Sequence, residues 1–161
     1  HKQLQGVGFL GTVQSSITDV PNDPYTIDIG KANVVRPGDD VTIVGLGATV
    51  HLAMEAAKTL EAENGVSAEV IDLRSLVPLD RDTICTSVAK TKALAVVDDD
   101  YGSYGVSGEI IATVTDRVFD SLRVAPIRIT YPDVPPPFSP ALEQFTLPNA
   151  EKVSSQIAKA L

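Results

Sequence analysis

The stretch Val70-Ile-Asp-Leu-Arg-Ser-Leu-Val-Pro-Leu-Asp80 decides the fold that this chain is predicted to adopt. It leaves an apolar, β-branched strand, passes through a proline-containing turn and reaches Asp80, a residue type that caps helix N-termini. Similar apolar runs begin near Val41, Ala93 and Ile127, and a helical pattern follows each of them. Four strand–helix units with short connections predict an α/β domain in which helices cover both faces of an open, mostly parallel sheet.

A fifth strand is predicted ahead of these units. Asn33-Val34-Val35 is a short extended segment, and only the turn signal Arg36-Pro37-Gly38-Asp39 separates it from the strand at Val41. We therefore expect it to pair antiparallel at an edge of a five-stranded sheet. Asn149 is predicted to cap the last helix, as Asp80 caps an earlier one. The helical residues expected to face the core, grouped by helix, are Val50, Ala53, Met54, Ala57 and Leu60; Ile84 and Val88; Ile110, Ile111, Val114, Val118 and Phe119; and Val153, Ile157 and Leu161.

The composition argues against several classes of protein. The formal net charge of −8 disfavours binding to nucleic acid, which requires clustered Lys and Arg. This charge suits a basic protein partner, and it equally suits a role in solubility alone. No run approaches the roughly 18 apolar residues of a membrane span, and the chain does not open like a signal peptide. Cys85 is the only cysteine, so we expect no disulfide and a reducing compartment, either the cytoplasm or an organelle matrix.

The first residues predict no folded element. The chain starts at His1 and its only methionine is Met54, so we expect either a removed initiator or an excised fragment. Residues 1–21 contain several Gly and Ser residues and lack an amphipathic pattern. We expect this segment to be a linker or tail, and residues 22–161 to form the domain.

Three segments could form ligand sites. Gly45-Leu-Gly47 could hold a phosphate on its backbone amides, but the third glycine of a dinucleotide motif is missing, so a tight turn is favoured. His51 would need an orienting partner to act as a base, and the nearest acid is Glu55; a surface or interface histidine is favoured. Asp98-Asp99-Asp100 could hold a divalent cation, although alternation lets only two side chains converge. A solvated rim or a contact to a basic partner is favoured there.

The loop Tyr101-Gly-Ser-Tyr-Gly-Val-Ser-Gly108 runs into a helix. Its glycines permit close approach of a ligand or a neighbouring chain, and its two tyrosines suit an interface, so a subunit contact is favoured. Cys85 is expected in the core, and Asp72 is expected to pair with Arg74 across a turn. Because no nucleophile–base pair, metal spacing or cofactor fingerprint assembles, the residues favour a domain that contacts other protein.

A family resemblance rests on a series of short segments. In order along the chain they are Pro24-Tyr-Thr-Ile-Asp-Ile-Gly-Lys-Ala32, Asp40-Val-Thr-Ile-Val44, Val50-His-Leu-Ala-Met-Glu-Ala-Ala57, Val70-Ile-Asp-Leu-Arg74 with Pro78-Leu-Asp80, Gly105-Val-Ser-Gly-Glu109 and Leu147-Pro-Asn149. Together they resemble the C-terminal domain of the transketolase-type thiamine diphosphate enzymes. Within that family they are most similar to the beta subunit of 2-oxoacid dehydrogenases of the pyruvate, branched-chain or acetoin type.

The resemblance implies a three-layer α/β/α domain with a mixed five-stranded sheet that has one antiparallel strand. It implies that the parent enzyme decarboxylates a 2-oxoacid and acylates a lipoyl group. Thiamine diphosphate and Mg²⁺ would be held between a pyrimidine-binding and a pyrophosphate-binding domain, and residues 1–21 would be the linker from the preceding pyrimidine-binding domain. This fragment would then bind no cofactor and no metal, and would be a non-catalytic assembly domain.

The resemblance also implies contacts with other subunits, a homodimer contact and docking of a dihydrolipoyl acyltransferase through acidic-to-basic pairs. Leu122-Arg-Val-Ala-Pro126 departs from the family because Arg123 stands where an acid is common, which moves the expected docking contact to Asp120 or Asp133. The candidate interface residues are Tyr101, Tyr104, Gly105, Glu109, Asp120 and Asp133. Two alternatives stay open: a stand-alone module that binds an anion or small molecule through the Gly45 and Gly105 loops, and the C-terminal domain of a transketolase or deoxyxylulose-phosphate synthase.

Overall fold

A computed structural model describes residues 21–161, and the expected tail lies almost entirely outside the described residues. Five strands form one sheet in the order β1-β3-β2-β4-β5. β1 pairs antiparallel with β3 at one edge, and the other neighbouring strands are parallel, which confirms the predicted sheet. The strands are β1 (Asn33–Arg36), β2 (Val41–Gly45), β3 (Ala68–Asp72), β4 (Leu94–Tyr101) and β5 (Ile127–Tyr131).

Helices cover both faces of the sheet, as the alternation of elements predicts. They are α1 (Ala48–Thr59), which continues into a π-helical turn (Leu60–Asn64), α2 (Arg81–Thr91), α3 (Val106–Val118), which is followed by a 3₁₀ turn (Phe119–Ser121), α4 (Pro140–Thr146) and α5 (Ala150–Ala160). One buried cluster lies between the sheet and α1 with α5, and a second lies between the sheet and α2 with α3. The domain therefore has three layers with a core on each side of the sheet.

The helix ends follow the local chemistry of the sequence. Asp80 caps α2 by accepting a hydrogen bond from the backbone N–H of Thr83 at 3.1 Å. Asn149 caps α5 in the same way, from the N–H of Lys152 at 2.8 Å. Gly65 takes a left-handed conformation, with φ of 68°, where the π-helical turn ends. Both predicted caps are thus confirmed.

Two predicted core positions are wrong, and one helix was not predicted. Phe119 is 64% exposed because α3 ends at Val118 and the following 3₁₀ turn rotates the side chain off the buried face. Leu161 is 39% exposed because it follows the last residue of α5. The unpredicted helix α4 begins at Pro140, which stands in its first turn, between β5 and the predicted cap Asn149.

None of the helices within residues 21–161 has the length and apolar character that a membrane span requires.

Candidate functional site

The carboxyl ends of the parallel strands bring four connections to one edge of the sheet, hereafter the carboxyl edge. They are the β2–α1 turn, the β3–α2 turn, the β4–α3 loop and the β5–α4 loop. Ligand and partner sites of open α/β sheets lie at this edge. Buried polar groups left unsatisfied in these connections indicate where another molecule could bind.

The β2–α1 turn is closed by its own hydrogen bonds. The N–H of Leu46 donates to Thr49 Oγ1 at 2.9 Å, and the Thr49 hydroxyl donates back to the Leu46 carbonyl at 3.0 Å. The N–H groups of Thr49 and Val50 donate to the carbonyls of Leu46 and Gly47. A Cβ at Gly45 would lie only 3.0 Å from Val50 N, so the backbone is tightly packed. The geometry supports the favoured tight turn, because three of its N–H groups are taken up within the turn.

The β3–α2 turn is also satisfied. Arg74 donates its backbone N–H to Asp72 Oδ1 at 3.1 Å, and its Nε lies 3.9 Å from Asp72 Oδ2, which confirms that predicted pair. Asp80 accepts hydrogen bonds from Ala32 N at 3.0 Å and from the Thr83 hydroxyl at 2.9 Å, besides the capping bond. Burial alone would raise the pKa of Asp80, but these donors outweigh it and hold the pKa below its usual range.

The β4–β5 pairing contains a bulge made of the acidic triplet. Val97 pairs with Ile129 and Tyr101 pairs with Tyr131, so residues 98–100 stand opposite a single residue of β5. Asp98 is buried, at 8% exposure, while Asp99 and Asp100 are exposed. Strict alternation predicts that side chains two apart converge. The bulge overturns that expectation, because the sequence neighbours Asp99 and Asp100 line the same cavity.

The buried carboxylate of Asp98 is poorly satisfied. Its Oδ1 accepts a hydrogen bond from Asp100 N at 3.2 Å, whereas its Oδ2 makes no hydrogen bond of good geometry to a described residue. The N–H groups of Asp100 and Ser107 lower its pKa, but burial outweighs them and, with the charges of Asp100 and Asp99, raises the pKa of Asp98 above its usual range. The Ser107 hydroxyl is buried too and lacks a partner in the described part of the chain.

The β4–α3 loop holds a fixed, outward conformation. Ser103 donates its hydroxyl to Asp133 Oδ2 at 2.6 Å and its N–H to Oδ1 at 3.2 Å, and these bonds lower the pKa of Asp133. Gly105 is required by sterics, because a Cβ there would lie 2.3 Å from the Tyr101 carbonyl oxygen. Tyr104 is fully exposed and has a positive φ of 61°. A strained, exposed aromatic of this kind is typical of a contact residue.

A cleft, hereafter the carboxyl-edge cleft, lies between the end of β4, the end of β5 and α4. Its volume is about 180 Å³, and its lining residues are Asp99, Asp100, Tyr101, Tyr131, Pro136, Glu143 and Leu147. The rings of Tyr101 and Tyr131 meet edge to face, with centroids 5.6 Å apart and planes at 80°. Tyr131 is 6% exposed, and its hydroxyl has no hydrogen-bond partner among residues 21–161. Sequence reasoning missed this cleft because α4 forms one of its walls.

The predicted interface residues divide between the two ends of the sheet. Tyr101, Tyr104, Gly105 and Asp133 meet at the carboxyl edge. Glu109 lies in the first turn of α3 at this same end, where its carboxylate pairs with Arg81 Nη2 at 3.1 Å. The 13 residues of α3 put Asp120 about 20 Å away at the opposite edge.

The other singled-out residues lie apart from the cleft. Arg123 donates from Nη2 to the carbonyl of Asp40 at 2.8 Å, which fixes it at the start of β2, on the amino edge. His51 is partly exposed on α1. Cys85 is buried, as predicted, and burial raises the pKa of its thiol.

The described residues do not fit a thiamine diphosphate site. In the β2–α1 turn the N–H groups of Leu46, Thr49 and Val50 are already engaged, and the β4–α3 end of the same edge carries carboxylates that would repel a diphosphate. No group of three His, Cys, Asp or Glu side chains within residues 21–161 is arranged to hold a metal ion. The acidic triplet therefore does not form a cation site of that kind in the described structure.

Comparison with known proteins gives a consistent result. The sequence pattern of the family described as "Transketolase, C-terminal domain" matches residues 30–153. The chain is 46% identical over 137 residues to the acetoin:2,6-dichlorophenolindophenol oxidoreductase subunit beta of Bacillus subtilis, covering 85% of this chain and 40% of that protein. It is 43% identical to the pyruvate dehydrogenase E1 component subunit beta of the same organism, covering 89% of this chain and 43% of that protein.

A solved structure shares the fold. A split gene transketolase, solved as an inactive beta4 tetramer, matches with a TM-score of 0.74 and 30% identity, over 90% of this chain and 46% of that one. The chain thus spans less than half the length of the curated relatives and the solved structure that it matches here.

Proposed function

The chain belongs to the transketolase C-terminal domain family, and from this premise we propose that it is the assembly domain of a 2-oxoacid or acetoin dehydrogenase beta subunit. The identities of 46% and 43% to beta subunits of such enzymes exceed the 30% identity to the split transketolase. This difference favours a dehydrogenase beta subunit over a transketolase or deoxyxylulose-phosphate synthase. The reducing cytoplasm or an organelle matrix is the proposed location.

The observation that carries the proposal is the apolar surface of the carboxyl edge. Large apolar side chains are exposed on the two loops and on α4, at 108% for Tyr104, 104% for Phe138, 76% for Phe145, 56% for Leu142 and 44% for Val134. Exposed apolar residues that concentrate in one region, with aromatic residues prominent among them, are typical of protein interfaces. Tyr104 is the expected centre, because the loop that carries its exposed ring is held by the Ser103–Asp133 bonds and by the sterics of Gly105.

The proposed partners are subunits or domains of the same enzyme. A second copy or a neighbouring subunit would cover Tyr101, Tyr104 and Gly105, with Glu109 and Asp133 at the margin. A dihydrolipoyl acyltransferase would dock on exposed acids, for which Asp133 at the carboxyl edge and Asp120 at the amino edge are the candidates. Arg123 lies close to Asp120 in sequence and would weaken attraction of a basic partner there, so Asp133 is the stronger candidate.

The proposed activity belongs to a longer protein. That protein would decarboxylate a 2-oxoacid, or cleave acetoin, and pass the acyl group to a lipoyl carrier. Thiamine diphosphate would supply the electron sink for that chemistry, and Mg²⁺ would bind its diphosphate group. Because the described residues do not fit that cofactor, this domain would contribute by assembly and not by holding it.

The proposal predicts concentration-dependent self-association of the purified chain, measured by sedimentation equilibrium. Tyr101→Ala combined with Tyr104→Ala should raise the dissociation constant at least about tenfold, because exposed aromatic anchors dominate interface energies. Phe119→Ala is the matched control, since that ring is 64% exposed but lies at the other end of α3. It should leave the dissociation constant unchanged.

Three results would contradict this function. A chain that stays monomeric at all concentrations would contradict the proposed interface. A double variant that associates like the parent chain would contradict it too. Decarboxylation of pyruvate, or cleavage of acetoin, by the purified chain with thiamine diphosphate and Mg²⁺ would show a catalytic domain instead.

A further inference from the structure

We propose that the carboxyl-edge cleft binds the guanidinium group of an arginine side chain carried by a partner protein. The inference rests on the proposed function in one respect, namely that the occupant is a protein segment. The cleft itself, its charge and its walls are features of the isolated chain.

Three carboxylates at the cleft lack cationic partners. The ion pairs within residues 21–161 engage other acids, and none involves Asp99, Asp100 or Glu143. Asp100 Oδ1 accepts only a backbone hydrogen bond, from Tyr101 N at 2.7 Å. The buried Asp98 immediately precedes Asp99 and Asp100 in the sequence. Acids gathered around a cleft with apolar walls create a focused negative potential that attracts a cation.

The walls suit a planar cation on an apolar stem. Tyr101, Tyr131, Pro136 and Leu147 supply aromatic and aliphatic surface in a space of about 180 Å³. A guanidinium group binds carboxylates through paired N–H groups and stacks on aromatic rings, whereas an ammonium group is a compact, strongly hydrated charge. The hydroxyl of Tyr131, buried and without a partner in the described chain, is an acceptor still to be satisfied. Arginine therefore fits the cleft better than lysine.

The cations that border the cleft are already engaged. Arg128 donates from Nη1 to the Gly102 carbonyl at 2.9 Å. Lys152 donates from Nζ to the carbonyls of Phe145 and Leu147 and lies 5.6 Å from the Phe145 ring centre. Each therefore supports a wall and leaves the acids of the cleft available. The needed positive charge would come from another molecule.

The surroundings of the cleft indicate what flanks the arginine. Phe138 follows the lining residue Pro136 by two positions and is fully exposed, and Phe145 lies on α4 between Glu143 and Leu147. A segment that inserted an arginine would bring its neighbouring residues against these rings. We infer that apolar residues flank the arginine of the partner.

The test titrates the ¹⁵N-labelled 161-residue chain with the peptide acetyl-Leu-Arg-Leu-amide and follows amide chemical shifts by NMR. The matched probe is the same peptide with citrulline, which is nearly isosteric with arginine but uncharged. We expect saturable shifts at residues 99–101 and 143–147 with the arginine peptide, at least fivefold weaker binding with citrulline, and weaker binding at higher salt.

Variants locate the binding site. Glu143→Gln should weaken binding of the arginine peptide at least fivefold, whereas Glu63→Gln, which removes an exposed carboxylate on the π-helical turn, should not change it. The amide spectra of the variants without peptide show that each is folded. Equal binding of the two peptides, shifts that map elsewhere, no shifts at millimolar peptide, or equal effects of the two variants would each overturn the inference.

This experiment separates the inference from the proposed function. A chain that binds the arginine peptide but never self-associates would contradict the proposed assembly contact and leave the cleft assignment intact. A chain that self-associates through Tyr104 but does not bind the peptide would contradict the cleft assignment and leave the proposed assembly contact intact.

Discussion

Asp80 and Asp98 are both buried aspartates beside the N-terminus of a helix, at 6% and 8% exposure, yet their surroundings differ. Asp80 accepts three hydrogen bonds of good geometry, whereas Asp98 accepts one, on Oδ1, and none of good geometry on Oδ2 from a described residue. Their pKa values consequently move in opposite directions, below the usual range for Asp80 and above it for Asp98. Burial alone does not decide the state of a carboxyl group; the number of donors aimed at it does.

The difference follows the division of the carboxyl edge. Around Asp80, the β3–α2 turn is closed by bonds that include Ala32, which ties the segment before β1 to α2. Around Asp98, the carboxylate oxygen Oδ2 and the buried hydroxyls of Ser107 and Tyr131 have no partners in the described chain, and aromatic rings are exposed nearby. At the β3–α2 end of the carboxyl edge, the polar groups of the turn are satisfied within the domain. The other end has the features of a surface that another molecule completes.

Of the substitutions considered for Asp80 and Asp98, Asp80→Ala should have the largest effect on the free energy of unfolding. It removes a helix cap and leaves the N–H of Ala32 without its acceptor, so we expect the free energy of unfolding to fall by about 2–3 kcal/mol at neutral pH. A carboxyl whose pKa is lowered by folding stabilises the fold above its unfolded pKa of about 3.9, and this contribution is lost as pH falls through the folded pKa. The loss in the variant, measured by urea denaturation, should therefore shrink in acid.

Asp80→Asn is the control, because one acceptor oxygen is retained and the loss should be smaller. A fall below 1 kcal/mol for Asp80→Ala at neutral pH would contradict the role assigned to Asp80.

Asp98→Asn should act in the opposite direction. Folding raises the pKa of Asp98, so its contribution to stability is fully present below the unfolded pKa of about 3.9 and is lost as pH rises through the folded pKa. The variant cannot ionise and lacks this decline. Relative to the parent chain, its free energy of unfolding should therefore rise across that window, by on the order of 1 kcal/mol.

The measurement for Asp98→Asn is urea denaturation at several pH values, with Asp99→Asn as the exposed neighbour for comparison. A stability difference that stays constant with pH would contradict the raised pKa of Asp98, and a loss of stability as large as that of Asp80→Ala would show that Asp98 is satisfied in the same way as Asp80.

Glycine substitutions at two strained positions should have the smallest effects and sharpen the comparison. Lys92 ends α2 at the amino edge with φ of 63°, and Tyr104 lies at the carboxyl edge with φ of 61°. Relief of the left-handed strain should raise stability by about 0.5 kcal/mol in both Lys92→Gly and Tyr104→Gly, measured by thermal unfolding. Only Tyr104→Gly should also weaken self-association. Equal self-association of Lys92→Gly and Tyr104→Gly would mean that Tyr104 makes no contact in the assembly.

The elements of the fold were predictable because their signals are local. The β-branched run at Val70, the caps Asp80 and Asn149 and the short connection before Val41 each depend on neighbouring residues, and all are found in the structure. Periodicity failed at Phe119, where the helix changes to a 3₁₀ turn. It also failed for α4, which is only seven residues long and starts with a proline that equally suits a loop.

The candidate site was predictable only in part. Tyr101, Tyr104 and Asp133 were singled out from residue type, but their meeting depends on the Ser103–Asp133 bonds across two loops. The burial of Asp98 and the unsatisfied hydroxyl of Tyr131 arise from the register of β4 against β5, which no single strand encodes. An acidic triplet that interrupts a β-branched run is the one local signal that could have indicated a bulge.

That bulge separates two demands on the same strand. Residues 94–97 keep their register with the neighbouring strands, while residues 98–100 are displaced from the ladder before pairing resumes at Tyr101. A chain can therefore gain, lose or exchange acids in this short insert without slipping the buried strands past one another. The bulge thus lets the carboxyl edge of the domain diversify while the core keeps a single arrangement.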